Sequence, residues 1–497
     1  MYSTLVLVGL AALSADLAPA RVIAPVQAAS VEGMAAIHSK LQRAIDDDRY
    51  DDALVFAKAL TVHPDFVDLP PEGQATIHYL VGVLHLQAGR PAAALPSLTL
   101  ATESPGATLA QWMMRLDATS GARDRDGTAR ILAVILARFP EAKDELFDDF
   151  VLQMAGSPEV DRDAAFELRL ALLRSGWSHD EDSWIWVKLV DDLLTRGRGA
   201  ETEPVIARVT AAPNRLQLFA MRRYDAVRPP EATFDIGAAY AADLELDRTR
   251  AETPGATIED RNAYVVALRA RGRFDEALVL ADRIVAAPLP DTEVEPEAKS
   301  HLTWAMDTRA HILVALGRHD EAVEQARAAV LRTEYGQPNV SQTINLGGIL
   351  LRLERYSEAR DVVAGIEAGQ VSAYGLMQAL HVRACAAHSL SDGVTATALF
   401  AQLDAEWRDA PTATYAALAC RGDEDGMARL LVEMLADPEH QEIGVAYMHR
   451  YLPSAPVSSF DRRMFEHHFR VIARAEVTAA RDLVARVYDI PLVNVPI

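Results

Sequence analysis

The sequence predicts an all-α fold in which helical hairpins stack into a solenoid. A short pattern occurs five times: a turn-forming residue, an arginine, often an aromatic ring, acidic residues and a closing alanine. Neighbouring copies begin 41, 45 and 37 residues apart, which is the spacing of a helical repeat. Each copy lies between two stretches with apolar residues at helical spacing, so it predicts the turn inside a hairpin. The copies begin at Asp48, Gly89, Gly272, Gly317 and Glu354.

Composition supports this fold class and narrows the function. Of the 497 residues, 50% are hydrophobic and only 6% aromatic, which favours closely packed helices over a sheet protein. The 49 basic and 71 acidic residues give a formal net charge of −22. Nucleic-acid binding requires clustered Lys and Arg, so no nucleic-acid partner is expected. Binding to an anionic membrane surface is disfavoured for the same reason.

The first residues differ from the rest of the chain. Leu5 to Leu13 is an uncharged apolar run, shorter than the roughly 20 residues that span a membrane. Small-residue cleavage sites follow at 18–20 and 26–28. We therefore predict a signal peptide over residues 1–28 and export, in a bacterium to the periplasm. If this run is not a signal, the protein is cytoplasmic. No stable membrane insertion is expected after signal removal.

Cys385 and Cys420 are the two cysteines of the chain, 35 residues apart. In an exported protein they could pair, since their separation is close to one repeat. Sequence alone does not show that their side chains meet. We expect two buried thiols on packed helices, with a disulfide as the alternative.

The turn motifs and proline breaks divide the chain into segments. Two weaker hairpins are predicted after the last clear turn, through residues 380–400 and 415–435. A degenerate sixth turn is predicted at 197–201, and one long helix is predicted over 464–487. The predicted segments are N-terminal hairpins over 29–105, a divergent helical segment over 106–258, a C-terminal array over 259–455, and a capping helix with an extended tail over 456–497.

The strings Gly-Arg-Phe-Asp-Glu-Ala at Gly272 and Gly-Arg-His-Asp-Glu-Ala at Gly317 resemble tetratricopeptide repeats. A small residue in the first helix and an alanine after the turn agree with that family, because both let the two helices cross closely. The resemblance covers about 35–105 and 259–365. It departs from the family in repeat length, which is about 34 residues there, and in Asp48 and Glu354, which replace the turn glycine. The resemblance implies a right-handed superhelical solenoid.

In the family, the concave face of the superhelix is lined by the first helices of the hairpins. If this holds here, the groove contains polar and aromatic residues that suit a bound peptide: Asn bonds an extended backbone and Arg bonds a carboxylate. The paired Lys and Asn residues that clamp a terminal carboxylate are absent, so an adaptor for chaperone tails is not expected. The groove candidates are Tyr79, Val83, Gln87, Asn262, Arg269, Asp307, His311, Asn345 and Arg352.

Patterns that carry chemistry are not found in the sequence. The adjacent His467 and His468 diverge by about 100° on a helix, so they cannot chelate one metal from one face. The Asn345–Gly348 stretch lacks the Lys-Ser or Lys-Thr pair of a phosphate-binding loop. Three tryptophans at 177, 184 and 186 could form a pocket or divide between core and surface. We expect no catalytic residue, no metal and no cofactor.

The sequence therefore predicts a non-enzymatic scaffold that binds a protein or peptide partner in a concave groove. Two alternatives from other classes stay open. One is an enzyme subunit or ligand-binding protein that uses the divergent segment 128–258. The other is a structural protein that self-associates through the exposed ends of the array.

Overall fold

The computed structural model describes residues 32–178, 183–287, 296–332 and 338–493. The predicted signal peptide, residues 1–28, lies outside the described residues. The chain divides into two compact units between Thr210 and Ala211. The segment boundaries predicted at 105, 258 and 455 stay predictions. In the described ranges, none of the helices combines the length and the apolar character that a membrane crossing requires.

The N-terminal unit consists of consecutive helical hairpins with short 3₁₀ segments between some of them. Its helices pack mainly against their neighbours in sequence, as expected of a repeat array. Its helices are α1 (Met34–Asp46), α2 (Tyr50–Thr61), α3 (Pro71–Gln87), α4 (Pro91–Glu103), α5 (Leu109–Gly121), α6 (Arg125–Arg138), α7 (Asp148–Gly156), α8 (Arg162–Ser175), α9 (Trp184–Thr195) and α10 (Glu203–Ile206).

The C-terminal unit continues the hairpin pattern and adds a two-stranded parallel ribbon, β1 (Arg450–Tyr451) with β2 (Asp489–Ile490). The structure is 74% helical, so the predicted all-α class is confirmed. The helices of this unit are α11 (Ala212–Ala220), α12 (Ile236–Glu252), α13 (Ile258–Ala270), α14 (Phe274–Ala286), α15 (Pro296–Ala315), α16 (His319–Val330), α17 (Val340–Arg352), α18 (Tyr356–Val362), α19 (Ala373–Ser389), α20 (Gly393–Ala405), α21 (Pro411–Cys420), α22 (Glu424–Ala436), α23 (Gln441–Met448), α24 (Ser459–Ile472) and α25 (Ala475–Val484).

All five predicted turns have one backbone geometry. The turn residue is left-handed at every copy, including Asp48 (φ 55°) and Glu354 (φ 61°), where glycine is replaced. The N–H of the following arginine bonds the carbonyl five residues earlier at 2.7–3.0 Å, which is the bond that closes a Schellman motif. The helix therefore ends at the same register whichever residue occupies the turn.

The arginine of the motif has a local electrostatic partner. In four copies its guanidinium donates to the acid three residues later at 2.6–2.8 Å, as in Arg273 with Glu276 and Arg318 with Glu321. This acid lies in the first turn of the second helix, where negative charge is favourable. The degenerate turn predicted at 197–201 has the same form, with Gly197 at φ 71° and Arg198 bonded to Glu201.

Several further turns share this geometry and were not predicted. Arg123, Gly176, Ser391 and Gly422 also have positive φ. Three of them are followed by aspartate instead of arginine, and the aspartate caps the next helix through its own side chain. The two weaker hairpins predicted near 380–400 and 415–435 are confirmed as α19–α20 and α21–α22.

Small residues hold the two helices of each hairpin close together. The alanine that closes each of the five motifs is fully buried. A methyl group on Gly347 of α17 would come within 2.8 Å of Val363, so the site has no room for a side chain. These residues therefore have the packing role that the sequence predicted for them.

The structure corrects the expectation for the cysteines. Cys385 of α19 and Cys420 of α21 form a disulfide, with their Cα atoms 5.9 Å apart. The two helices are the first helices of successive hairpins, so they lie side by side. Residues 35 positions apart in the sequence are thus close enough in space to form a disulfide.

The tail also differs from its prediction. The single helix predicted over 464–487 is two helices, α24 and α25, because Arg474 is extended between them. Its guanidinium donates to the Glu424 carbonyl and to Asp425 at the start of α22. Val471 of α24 and Val477 of α25 are both fully buried. On one straight helix, residues six positions apart would point to different sides.

Candidate binding site

Four of the predicted groove residues lie around one cavity of about 410 Å³ in the C-terminal unit. They come from the first helices of three consecutive hairpins: Arg269 from α13, His311 from α15, and Asn345 and Arg352 from α17. These four predicted residues therefore lie close together in the structure, and their role as peptide contacts stays a prediction.

Two further polar residues of the cavity were not predicted. Gln378 and His381 belong to α19, the first helix of the next hairpin. The missed signal is the turn at Ser391, where serine and aspartate replace the Gly-Arg pair. Once that turn is recognised, His381 stands ten residues before it, the same register as Asp307 before Gly317.

The other wall of the cavity is the chain's own C-terminal tail. Asp461, at the start of α24, accepts hydrogen bonds from Arg352 Nε at 3.0 Å and from a terminal Arg352 nitrogen at 3.2 Å. The Val457 N–H adds a third bond to Asp461 at 3.1 Å. The Asp461 side chain is only 8% exposed. The Asp461 carboxylate of the same chain is thus already bound to Arg352, which was predicted to contact a peptide. The tail residues that line the cavity are Ser454, Phe460, Asp461, Met464, Phe465 and Val493.

Glu354 strengthens this attachment. Its carboxylate accepts from the Ser459 hydroxyl and from the Phe460 N–H, the latter at 2.7 Å. These bonds, the Ser459 hydroxyl first, lower the pKa of Glu354. The residue that replaces the turn glycine therefore holds the beginning of α24.

The end of the tail returns to the first helices of the unit. Val493 N–H donates to the Ala270 carbonyl at 2.7 Å, and Arg486 N–H donates to the Ala220 carbonyl at 2.8 Å. Arg450 and Asp489 pair across the β1–β2 ribbon at 2.9 Å. The C-terminal unit is consequently closed on itself, and its inner face is a covered cavity at this end.

Arg269 has no comparable partner. Within the described residues its guanidinium makes neither a hydrogen bond nor an ion pair, and its Nε atom is buried. Burial lowers the pKa of Arg269, and the nearby Arg352 acts in the same direction against the opposing effect of Asp307. Asp307 forms no ion pair with Arg269 within 4.0 Å, and a half-buried cation without such a pair is costly, so this residue is the most unusual group of the cavity.

His381 and His468, in and behind the cavity, are held in their neutral form. Burial lowers the pKa of His381 to about 4, and its Nε2 atom has no hydrogen-bond partner in the described part of the chain. His468, behind the cavity in α24, has its pKa lowered to about 4 by burial, and its Nδ1 lies 3.0 Å from the Tyr415 hydroxyl. These two imidazoles are therefore uncharged at neutral pH.

The remaining C-terminal candidates, Asn262 and Asp307, share the inward face without lining the cavity. Next to the polar candidates, the same faces carry exposed apolar side chains: Val266 on α13, Trp304 on α15 and Tyr374 on α19, which are 36%, 43% and 56% exposed. The three apolar side chains and the polar residues between them are here called the inner strip.

The N-terminal candidates occupy a different environment. Tyr79 is buried, and Val83 is fully buried in the core of its own unit, so the expectation that Val83 faces an open groove is wrong. Burial raises the pKa of Tyr79 to about 12. Gln87 is half-buried and its Oε1 atom has no partner within the described ranges. Helix α3 is apolar on most of its circumference, which explains why its inner face is packed.

The other sequence features have structural explanations. Trp177 and Trp186 are core residues with ring centroids 6.2 Å apart, and Trp184 is half-buried. His467 bonds Glu424 while His468 points to Tyr415, so the two imidazoles diverge as predicted. Over the described residues no group of three or more His, Cys, Asp or Glu side chains could hold a metal ion.

Comparisons with known proteins agree with the hairpin geometry in one segment. The family model described as tetratricopeptide repeat matches residues 308–372, from within α15 to the loop before α19. A chain of the crystal structure titled APC/C hetero-tetramer Cut9–Hcn1 is 13% identical, with coverage of 90% of this chain and 96% of that chain. Its TM-score of 0.28 is too low to carry an argument. No curated protein matches the sequence. The resemblance predicted from the turn motifs is thus confirmed over residues 308–372, which match the tetratricopeptide-repeat model.

Proposed function

We propose that the protein is a non-enzymatic scaffold that binds a segment of a partner protein along the inner strip of its C-terminal unit. The observation that carries the proposal is the exposure of Val266, Trp304 and Tyr374 on three first helices. Large apolar side chains that share one exposed face, with polar neighbours, are typical of protein interaction sites. Aromatic residues are also enriched among those that contribute most binding energy.

The polar part of the inner strip suits an extended segment. The side-chain amide of Asn262 can donate hydrogen bonds to the carbonyl groups of a peptide backbone. Because the first helices are held by their turns and by small-residue packing, the surface is formed before the partner arrives. Little conformational entropy is then lost by the scaffold on binding.

The test compares two pairs of substitutions in the full chain. Trp304→Ala with Tyr374→Ala removes the aromatic part of the inner strip. Leu331→Ala with Val394→Ala removes apolar side chains from the second-helix side that are more exposed than the inner-strip pair, at 85% and 87%. Both proteins and the wild type are used as bait, after reversible cross-linking, and captured proteins are quantified by mass spectrometry.

We expect one partner to be lost with the inner-strip pair and retained with the control pair. Equal retention by both pairs would place the interface elsewhere. If no partner is captured, the scaffold proposal fails, and sedimentation at several concentrations then tests the alternative of self-association through the ends of the array.

We also propose that the protein acts in an oxidising compartment, the periplasm if the source is bacterial. The Cys385–Cys420 disulfide supports this, because such bonds persist in exported proteins and are rare in the cytosol. The signal peptide predicted at 1–28 also supports export to such a compartment. Fractionation of the native cells, with thiol trapping before lysis, should find the oxidised chain outside the cytoplasm. A reduced cytoplasmic chain would contradict the proposal.

A further inference from the structure

We propose that the covered cavity of the C-terminal unit binds a small organic oxyanion, a carboxylate or a phosphate, through Arg269. This inference does not rest on the scaffold proposal, because the cavity lies under the tail while the inner strip is exposed. The two can therefore fail independently.

The first argument is the state of Arg269. Its guanidinium is half-buried, lines the cavity, and has neither a hydrogen bond nor an ion pair within 4.0 Å among the described residues. A buried cation left unpaired destabilises the folded chain, whereas a carboxylate or phosphate would satisfy it with two parallel hydrogen bonds. Among the described residues, no acceptor uses the donor fork of this guanidinium.

The second argument is the chemistry of the remaining lining. Arg352 is a second guanidinium, and Asn345 and Gln378 supply amide N–H donors. Of the acids nearby, Asp461 is already bonded by Arg352 and the Val457 N–H. The other acid, Asp307, does not line the cavity. Its Oδ2 lies 3.5 Å from His311 Nδ1. Free donors therefore exceed free acceptors at the cavity surface, which favours an anion.

The third argument is size and cover. About 410 Å³ lies within the range of roughly 300–1,000 Å³ that is usual for small-molecule sites. The tail covers one side through Ser454, Phe460 and Val493, so an extended chain could not lie through the cavity without displacing it. The occupant we infer is accordingly a small anion and not a peptide.

The experiment measures the unfolding temperature of the full chain by scanning calorimetry. The probes are inorganic phosphate and succinate, each compared with sodium chloride at the same ionic strength. An anion that binds only the folded state raises this temperature in proportion to its saturation of the site. We expect at least one probe to raise it above the chloride control.

Arg269→Gln removes the cation and retains a polar side chain of related shape. Arg261→Gln, at an exposed position of the same helix α13, is the matched control. We expect the anion-dependent rise to be lost in Arg269→Gln and kept in Arg261→Gln. Without anion, Arg269→Gln should unfold at the wild-type temperature or above it, since an unpaired charge has been removed. Arg269→Lys should retain only part of the rise, because lysine lacks the planar fork.

Three results would overturn the inference. The first is no rise with either probe in the wild type, and the second is the same rise in wild type and Arg269→Gln. The third is a lower unfolding temperature of Arg269→Gln without anion, which would make Arg269 a structural residue. Titration calorimetry on the wild-type chain gives an independent measurement: binding of a peptide with a free carboxyl terminus, without binding of either small anion, would also contradict the inference.

Discussion

The N-terminal and C-terminal units use the same hairpin turn and arrive at different inner faces. In the N-terminal unit, Tyr79 and Val83 of the inner register are packed into the core. In the C-terminal unit, Arg269, His311 and Asn345 surround a cavity. The difference teaches that the turn motif sets only the position of the helices. Whether an inner face becomes core or binding surface depends on the side chains that it carries.

The two units also differ in how they are held together. Contacts in the N-terminal unit are mostly between helices that follow one another in the chain. The C-terminal unit adds long-range bonds, including Arg352 with Asp461, which are 109 residues apart, and Arg486 with Asp225, which are 261 residues apart. A disulfide ties two of its first helices. Closure by the tail is therefore a property of the second unit that its repeats do not require.

Acid should weaken the C-terminal unit through its buried histidines. Burial lowers the pKa of His381, His449 and His468 to about 4 each, from an ordinary 6.5. The unfolded chain gains protons first as the pH falls, so stability is complete above pH 6.5 and decreases towards pH 4. The linkage amounts to about 3 kcal/mol for each histidine. Urea unfolding at pH 7 and pH 4.5 should show this loss.

His468→Gln tests whether His468 contributes its expected part of the stability lost in acid. Glutamine can still accept from the Tyr415 hydroxyl but does not titrate, so the loss between the two pH values should shrink by up to about 3 kcal/mol. His319→Gln, at a half-buried position of α16, makes the same substitution outside the three buried histidines and is the control. Parallel profiles for His468→Gln and wild type would contradict the prediction.

Removing the charge of Asp461 should loosen the tail specifically. Asp461→Asn keeps the shape but weakens three hydrogen bonds and leaves Arg352 without its counter-charge. Since the Arg352 side chain is 40% exposed, we expect a loss of about 1–3 kcal/mol in the free energy of unfolding. Hydrogen exchange of the amides in 450–493 should become faster, while that of the N-terminal unit stays the same.

Asp425→Asn is the matched control for this prediction. Asp425 also pairs with an arginine of the tail region, Arg474, at 2.8 Å, but it is 78% exposed. Its loss should cost below about 1 kcal/mol. Equal effects of the two substitutions would mean that the Arg352–Asp461 pair does not hold the tail.

The smallest expected effect comes from placing glycine at the same turn position in each of the two units. Asp48 and Glu354 are both left-handed, so glycine at either position relieves backbone strain of about 1 kcal/mol. Asp48→Gly also removes the exposed acceptor of the Tyr50 hydroxyl, so we expect it to stabilise the chain only slightly. Glu354→Gly also removes the acceptor of Ser459 and Phe460, which is worth about 1.5–3 kcal/mol, and should destabilise it. Urea unfolding of both variants would refute this contrast if the two shifts had the same sign.

The candidate site was predictable in part, and the errors have physical causes. Arg269, His311, Asn345 and Arg352 were predicted from the resemblance, which implies that first helices line the concave face, and the structure places these four around one cavity. Gln378 and His381 were missed because their turn uses Ser391 and Asp392, where an aspartate side chain caps the helix in place of the arginine. Val83 was placed wrongly because α3 is apolar on nearly all sides.

The sequence by itself determined the hairpins of this protein, because their turns, caps and close helix crossings depend on residues within a few positions of one another. Only the tertiary structure decided the disulfide, the division of the tail into two helices and the covered cavity. The pairing of Arg352 with Asp461 depends on the summed geometry of all the hairpins between them. No local sequence pattern predicts that geometry. Only the stacked hairpins therefore show that the tail covers the inner face.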